Sequence, residues 1–449
     1  MTIEELDQRA RDVLDKNDHG GYTVPREKLY PFQWNWDSCL VALGFSTYNE
    51  ARAWQELETL FTGQWDNGML PHIVFHREKT STYCPGPSHW QAKNEQGEDT
   101  SGISNPPIAA HVIRQLLEEA KDKDLAREKA QALFPKVFRW HKWWHDKRDP
   151  QGKGLVVSFH PWETGRDNSH DWRQLLAEVP VDNLEPYERK DIEYVPADER
   201  PNQREYDAFM ALVQLGRRCD YDDGYLYEHS PFKVADTTVN FILARADRDL
   251  LWVANHLGKD MYPDEIAALE GWIPKTREAL VRLWNAEEES YQPISFANGY
   301  DNRHVGGTSS AAFLAFLPGC DNDKKAHALL AKLEHWSATH LLVPSYDPHH
   351  KDYDCLRYWK GPVWAIMNYM IYAGLRHSGH HRAGLQLAAD TAALMESGGF
   401  AEYYNPDNGD PLGGNKFSWT AAMWLYWLSP MRDELRANYP HRWEALSAG

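Results

Sequence analysis

Apolar residues recur at three- and four-residue spacing through most of this chain, and that spacing restricts the fold more than any other feature. Ala235, Val239, Ile242, Leu243, Ala246, Leu250 and Val253 form one such stripe, and Ile108, Val112, Ile113 and Leu116 form another. Both predict amphipathic helices with one face turned to a core. Comparable patterns predict helices over about 3–16, 36–62, 123–147, 203–219, 262–285, 322–341, 360–376, 380–396 and 417–428, with loops rich in Gly, Pro, Asp and aromatic residues between them. Strands are expected to be few and short. No Ser/Gly linker, charge block or composition shift divides the 449 residues, so one domain over 1–449 is expected. About a dozen helices with chemically rich loops on one side suit an all-α ring of helical hairpins, the (α/α)6 barrel, with loop insertions around 64–105 and 173–202. Periodicity by itself supports only a mostly helical chain.

Composition removes several functional classes. No run of about eighteen apolar residues offers a membrane span, and the amphipathic start TIEELDQRARDVLDKN lacks the pattern of a secretory signal, so the expected compartment is the cytoplasm. A net charge of −18 without a long Lys/Arg block opposes nucleic acid and anionic membranes, and an anionic substrate would need a local cation. Cys39, Cys84, Cys219, Cys320 and Cys355 are odd in number and widely spaced, which suits reduced thiols and no zinc or redox pair. His377, His380 and His381 in RHSGHHR and His349 and His350 in DPHH approximate ligand clusters, yet neither is a known metal motif; polar turns account for them better. No metal and no cofactor is expected. The sequence is compatible with a monomer or a homo-oligomer.

Twenty tryptophans and 22 tyrosines, many beside Gly, Pro, Asp and Asn, suit platforms that stack on the C–H faces of sugars, though large helical cores also use such residues. Two loops add carboxylates. HPWETGRDNSHDW, 160–172, holds Glu163, Asp167 and Asp171 and cannot be a core helix face. Gly165 and Asn168 set Asp167 in a tight turn near Trp162 and Trp172, whose apolar rings would raise its pKa as a general acid requires. FAEYYNPDNGDPLGG, 400–414, sets Glu402 ahead of a turn-rich stretch that leads to Trp419. Turn and cap formation remains the alternative for each loop alone; together they suggest a catalytic pair of carboxylates.

At these residues the chain resembles the small bacterial members of glycoside hydrolase family 63, the mannosylglycerate and glucosylglycerate hydrolases, and more distantly the trehalase and glucosidase clan. The likeness spans nearly the whole chain through YPFQWNWDS (30–38), YCPGPSHW (83–90), HPWETGRDNSHDW, YWKGPVW (358–364) and FAEYYNPDNGDPLGG. It implies an (α/α)6 barrel acting with inversion and without metal on a small carbohydrate, with Asp167 as acid and Glu402 as base. It implies a sugar site of Trp36, Asp37, Tyr358, Trp359 and Trp364, with Tyr30 and Tyr83 on covering loops and Trp90, Trp162 and Trp419 nearby. The Arg-Pro…Tyr pattern of the glycerate-specific members stands here as Arg200 to Tyr206, a candidate clamp for a substrate carboxylate; an ordinary surface arginine is the alternative. Asn105 in TSGISNPP stands where Gln is expected, shortening a substrate contact, and HDW after Ser169 also departs from the pattern. The expected substrate is glucosylglycerate or mannosylglycerate, with neutral trehalose- or kojibiose-like α-glucosides as the alternative. A sugar epimerase or isomerase working through histidines, and a binding protein without catalysis, are the rival classes.

Overall fold

The computed structural model describes residues 2–76, 83–297 and 302–447. Six helical segments form a closed inner ring: Asn35–Ser46, Ala109–Glu118, Thr237–Gly258, Ser310–Phe316, Ala365–His377 and Ser418–Met423, each packed on the next and the last packed on the first. Six more lie outside them, Ile3–Asn17, Glu50–Leu60, Lys123–Lys147, Pro263–Leu280, Asp323–Ser337 and His381–Gly398. This is the expected (α/α)6 barrel. Position in the ring decides residue character. In Asn35–Ser46 every residue but Ser46 is buried, whereas Ile3–Asn17 buries one face through Leu6, Ala10, Val13 and Leu14.

Helix starts carry sequence-encoded caps. The Thr2 hydroxyl accepts from Glu5 N while Glu5 returns to the Thr2 N–H. Asn202 and Glu205 form the same reciprocal pair, and Asp236 accepts from Val239 N. Two expectations on helix bounds are corrected. The stretch 36–62 is broken at Thr47–Asn49, because the Asn49 side chain accepts from Arg52 N and starts a new helix. The ring member Ser310–Phe316, a 3-10 helix, was not expected at all: its sequence SAAFLAF is buried throughout and so lacks the polar face that creates a period.

Short strands stabilise the loops at one end of the barrel. Gln33–Trp34, Ile73–Val74, Asp99–Thr100 and Ala92–Lys93 form a four-stranded antiparallel sheet in that order, with Gln33 opposite Val74 and Trp34 opposite Ile73. Part of the expected covering insertion 64–105, residues 77–82, lies outside the described residues. Among the described residues no helix is long and apolar enough to cross a membrane.

Candidate active site

The starts of the first and last inner helices, with the loops around them, face a cavity with about 680 Å³ of atom-free space, its open mouth included. Trp36 and Asp37 stand in the first turn of Asn35–Ser46 and Trp419 in that of Ser418–Met423. Of the residues singled out from sequence, Asp167, Glu402, Tyr30, Trp36, Asp37, Tyr83, Asn105, Trp162, Arg200, Tyr206, Tyr358, Trp359 and Trp419 all line it. Trp90 and Trp364 stand behind the wall. Trp90 packs 6.1 Å from Trp162 and donates its indole N–H to Pro85 O at 3.2 Å; Trp364 stacks on Trp359 at 3.9 Å with their planes 3° apart. Asn105 is spent on the scaffold: its oxygen accepts from Trp36 N and its amide donates to Trp162 O. The Tyr206 hydroxyl likewise donates to Cys84 O at 3.1 Å. Trp34 and His72 also line the cavity. Trp34 sits within a block already marked, but no motif pointed to His72, which stacks on Trp162 and which burial keeps neutral, with a pKa of about 3.

The loop 160–172 sorts its three carboxylates by giving two of them arginines. Glu163 takes both ends of the Arg148 guanidinium, at 2.7 and 2.8 Å, and accepts from Ser104 N and Phe159 N. Asp171 accepts from Arg166 at 2.6 Å, and Arg166 also binds Asp236 at 2.7 Å. Asp167 has no arginine at contact distance among the described residues and keeps partial exposure to the cavity. The turn that presents it requires glycine. Gly165 has φ of +72°, and a Cβ there would fall 2.5 Å from the Trp36 indole. Asn168 fastens the far side by accepting from Trp359 N. Burial pushes Asp167 up to about 7, opposed by the charge of Arg200 and a hydrogen bond from Trp162.

Glu402 does not lie in a loop but on the strand Ala401–Tyr404, paired antiparallel with Pro411–Asn415. The register shifts between Ala401 and Tyr403, so Glu402 sits at a bulge, a device that turns a side chain out of strand alternation. A Cβ on Gly413 would come within 2.6 Å of Glu402 Oε2, so the opposing strand is kept bare where the carboxylate folds back. Tyr30 donates to Glu402 Oε1 at 2.9 Å, while Oε2 has no hydrogen-bond partner. Burial drives Glu402 up to about 7 against the pull of Arg200 and Tyr30. Asp37 is also raised well above the usual carboxylate value, first by burial and then by the charge of Glu402.

Arg200 is buried beneath the cavity, so the reading of it as a surface arginine is set aside. Its guanidinium lies 4.2 Å from the Tyr358 ring centroid and 5.7 Å from that of Tyr30. Nε donates to Asp191 Oδ2 at 3.2 Å, and Nη1 stands 3.6 Å from Glu402 Oε2 without forming a hydrogen bond. Asp191 was not anticipated, because KDIEY reads as an ordinary solvated loop. Among the described residues no group of three His, Cys, Asp or Glu side chains is arranged to hold a metal ion.

Three buried or half-buried acids facing an aromatic cavity, one of them beside a buried cation, form a site suited to acid–base work on a sugar. Comparison with known proteins agrees. The family model of the mannosylglycerate hydrolase MGH1-like glycoside hydrolase domain matches residues 30–420. The chain is 44% identical to mannosylglycerate hydrolase MGH1 of Selaginella moellendorffii, covering 94% of this chain and 85% of that one. It is 31% identical to the glucosylglycerate hydrolase of Mycolicibacterium hassiacum, over 95% and 98% of the two chains. The crystal structure of the family 63 mannosylglycerate hydrolase of Thermus thermophilus with Tris and D-glycerate superimposes with a TM-score of 0.89 at 43% identity, covering 94% of this chain and 99% of that one. The chain belongs to the mannosylglycerate hydrolase MGH1-like group of glycoside hydrolase family 63, and it is a glycoside hydrolase.

Proposed function

We propose that the enzyme hydrolyses mannosylglycerate with inversion, Asp167 serving as general acid and Glu402 as general base. The observation that carries this reading is the sorting of carboxylates. Neighbouring acids are neutralised by arginines, whereas Asp167 and Glu402 enter one cavity from different elements with a raised affinity for protons. Asp167 gives its proton to the glycosidic oxygen as the bond breaks. Glu402, held at Oε1 by Tyr30, takes a proton from the attacking water. Asp37 faces the same space and holds sugar hydroxyls while positive charge develops on the ring. Glucosylglycerate is the second reading, favoured by the relative that acts on it.

Arg200 supplies the cation that a glycerate carboxylate needs in a chain of charge −18. Tyr206 adds wall rather than a donor, since its hydroxyl proton is taken by Cys84 O. The test is a panel of mannosylglycerate, glucosylglycerate, trehalose and kojibiose, assayed with parent and Arg200→Ala. Loss of a charge-assisted contact is worth on the order of 1.5–3 kcal/mol, so KM for the preferred glycerate glycoside should rise roughly tenfold or more. Neutral disaccharides should be affected far less. A parent that prefers a neutral disaccharide would remove the glycerate reading and leave the hydrolase standing.

The pH profile of kcat/KM should be a narrow bell centred near neutrality. Activity needs Glu402 ionised and Asp167 protonated, so the rate falls as acid protonates Glu402 and falls again as alkali strips Asp167. Burial pushes both groups up to about 7 in the free enzyme. A rate constant over about pH 5–9 would exclude the pair. The five cysteines are all unpaired, which supports a reducing compartment such as the cytoplasm.

A further inference from the structure

We propose that Asp191 and Arg189 form a charge-neutral clasp that fixes the Arg200 guanidinium while leaving its charge to Glu402 and the substrate carboxylate. This rests on the reading of Arg200 as the cation that serves both. Asp191 is buried and meets Arg189 through two bonds, Nε to Oδ1 at 3.0 Å and Nη2 to Oδ2 at 2.7 Å. The same Oδ2 accepts from Arg200 Nε at 3.2 Å. One carboxylate thus bridges two guanidiniums, and the bidentate partner absorbs its charge. Arg200 gains a fixed anchor without being neutralised, and its Nη1 is left buried with no hydrogen-bond partner, 3.6 Å from Glu402.

The rest of the segment supports that geometry. The Arg189 guanidinium lies 4.3 Å from the Tyr206 ring centroid, and Tyr187 stacks on Tyr206 at 6.0 Å. The clasp therefore ties Arg200 to the wall formed by Tyr206. The charged and titratable groups around Arg200 are Tyr30, Tyr83, Tyr358, Tyr403, Asp167, Asp191, Glu199 and Glu402. Those around Asp191 are Arg189 and Arg200, with Tyr83, Cys84, Tyr206 and Asp167 responding to its charge. Asp167 also faces Arg200, Tyr358 and Asp37. Glu402 also faces Tyr30, Arg26, Asp37 and Asp167.

Without Asp191, the carboxylate left at ion-pair distance from Arg200 among the described residues is Glu402, at 3.6 Å, and the guanidinium collapses onto it, with Asp167 still within its field. In Asp191→Asn both limbs of the kcat/KM profile should move to lower pH by about half a unit or more, because Glu402 and Asp167 then ionise more easily. KM for mannosylglycerate should nevertheless rise about tenfold, because Nη1 is no longer free. In Arg189→Gln the uncompensated Asp191 should move both limbs the other way. Opposite shifts with a raised KM in Asp191→Asn support the clasp. Coincident profiles, or shifts of one sign in both variants, overturn it. A lower KM in Asp191→Asn would mean that Asp191 acts only through its field, and would overturn positioning. Should Asp191→Asn fail to fold, the upward shift in Arg189→Gln still decides, its absence overturning the clasp. Failure of the Arg200 reading itself is told apart by Arg200→Ala, which would then change KM for acidic and neutral substrates alike.

Discussion

Asp167→Asn and Glu402→Gln should each fold as the parent does and hydrolyse the glycoside about 10²–10⁴-fold more slowly, the range over which a general acid or base contributes. Neither side chain carries structural load comparable to its neighbours. Among the described residues Asp167 has no ion pair at contact distance, and Glu402 has one weak approach at 3.6 Å. The second part of the result is a gain. Both carboxyls have folded-state pKa values of about 7, above those of the unfolded chain. The stability they contribute is fully present below the unfolded value near 4 and is lost as pH rises through about 7. A neutral amide does not lose it. Each variant should therefore melt above the parent at about pH 8 and close to it at about pH 4. Hydrolysis at the parent rate in either pure variant would sink the assignment, and variants less stable than the parent at the higher pH would mean these acids serve the fold.

Arg166→Met should be the most destabilising single change within the loop, by about 3–5 kcal/mol, because it strands two buried carboxylates. Arg166 is fully buried and binds Asp171 and Asp236, and it also donates to Thr238, Ser169 and Ser309. Asp236 in turn caps the longest helix of the inner ring through Val239 N. Loss of the arginine thus loosens the helix start and the turn that carries Asp167 together. Denaturant melts of Arg166→Met, and of the same variant with Asp171→Asn and Asp236→Asn, separate charge from shape. Removing all three charges should recover much of the loss. Parent-like stability in the single variant would show that the two aspartates find other partners.

The sequence was most informative where aromatic residues and acids share a short block. The blocks holding Tyr30, Trp36, Asp37, Tyr358 and Trp359 were all legible, and the structure brings those residues to one cavity. The turn residues Gly165 and Asn168 and the family resemblance singled out Asp167 in its loop, but not why Glu163 and Asp171 are silenced, because their partners Arg148 and Arg166 declare themselves only through burial. Asp191 was missed for the same reason. A charged loop of that composition is ordinarily solvated, and only the fold turns Arg189 and Arg200 toward it. The helix Ser310–Phe316 escaped because complete burial erases amphipathic spacing, the one signal on which the other helices were identified.

The ring closes where the two ends of the chain meet. Asn17 donates to Lys416 O and to Ser418 Oγ, Ser418 Oγ donates to Val24 O, and Ser418 N donates to Pro25 O. Asp37 arrives with the first inner helix and Glu402 with the strand that precedes the last one. On the proposed roles, synthesis delivers the acid Asp167 well before the base Glu402. On those roles, no water is activated until the stretch around Lys416 reaches back across some 400 residues of separation to dock on the first helices, and a chain interrupted before Glu402 lacks its base. Joining the termini and reopening the ring at a distant surface turn would change that order of assembly while leaving the finished enzyme the same.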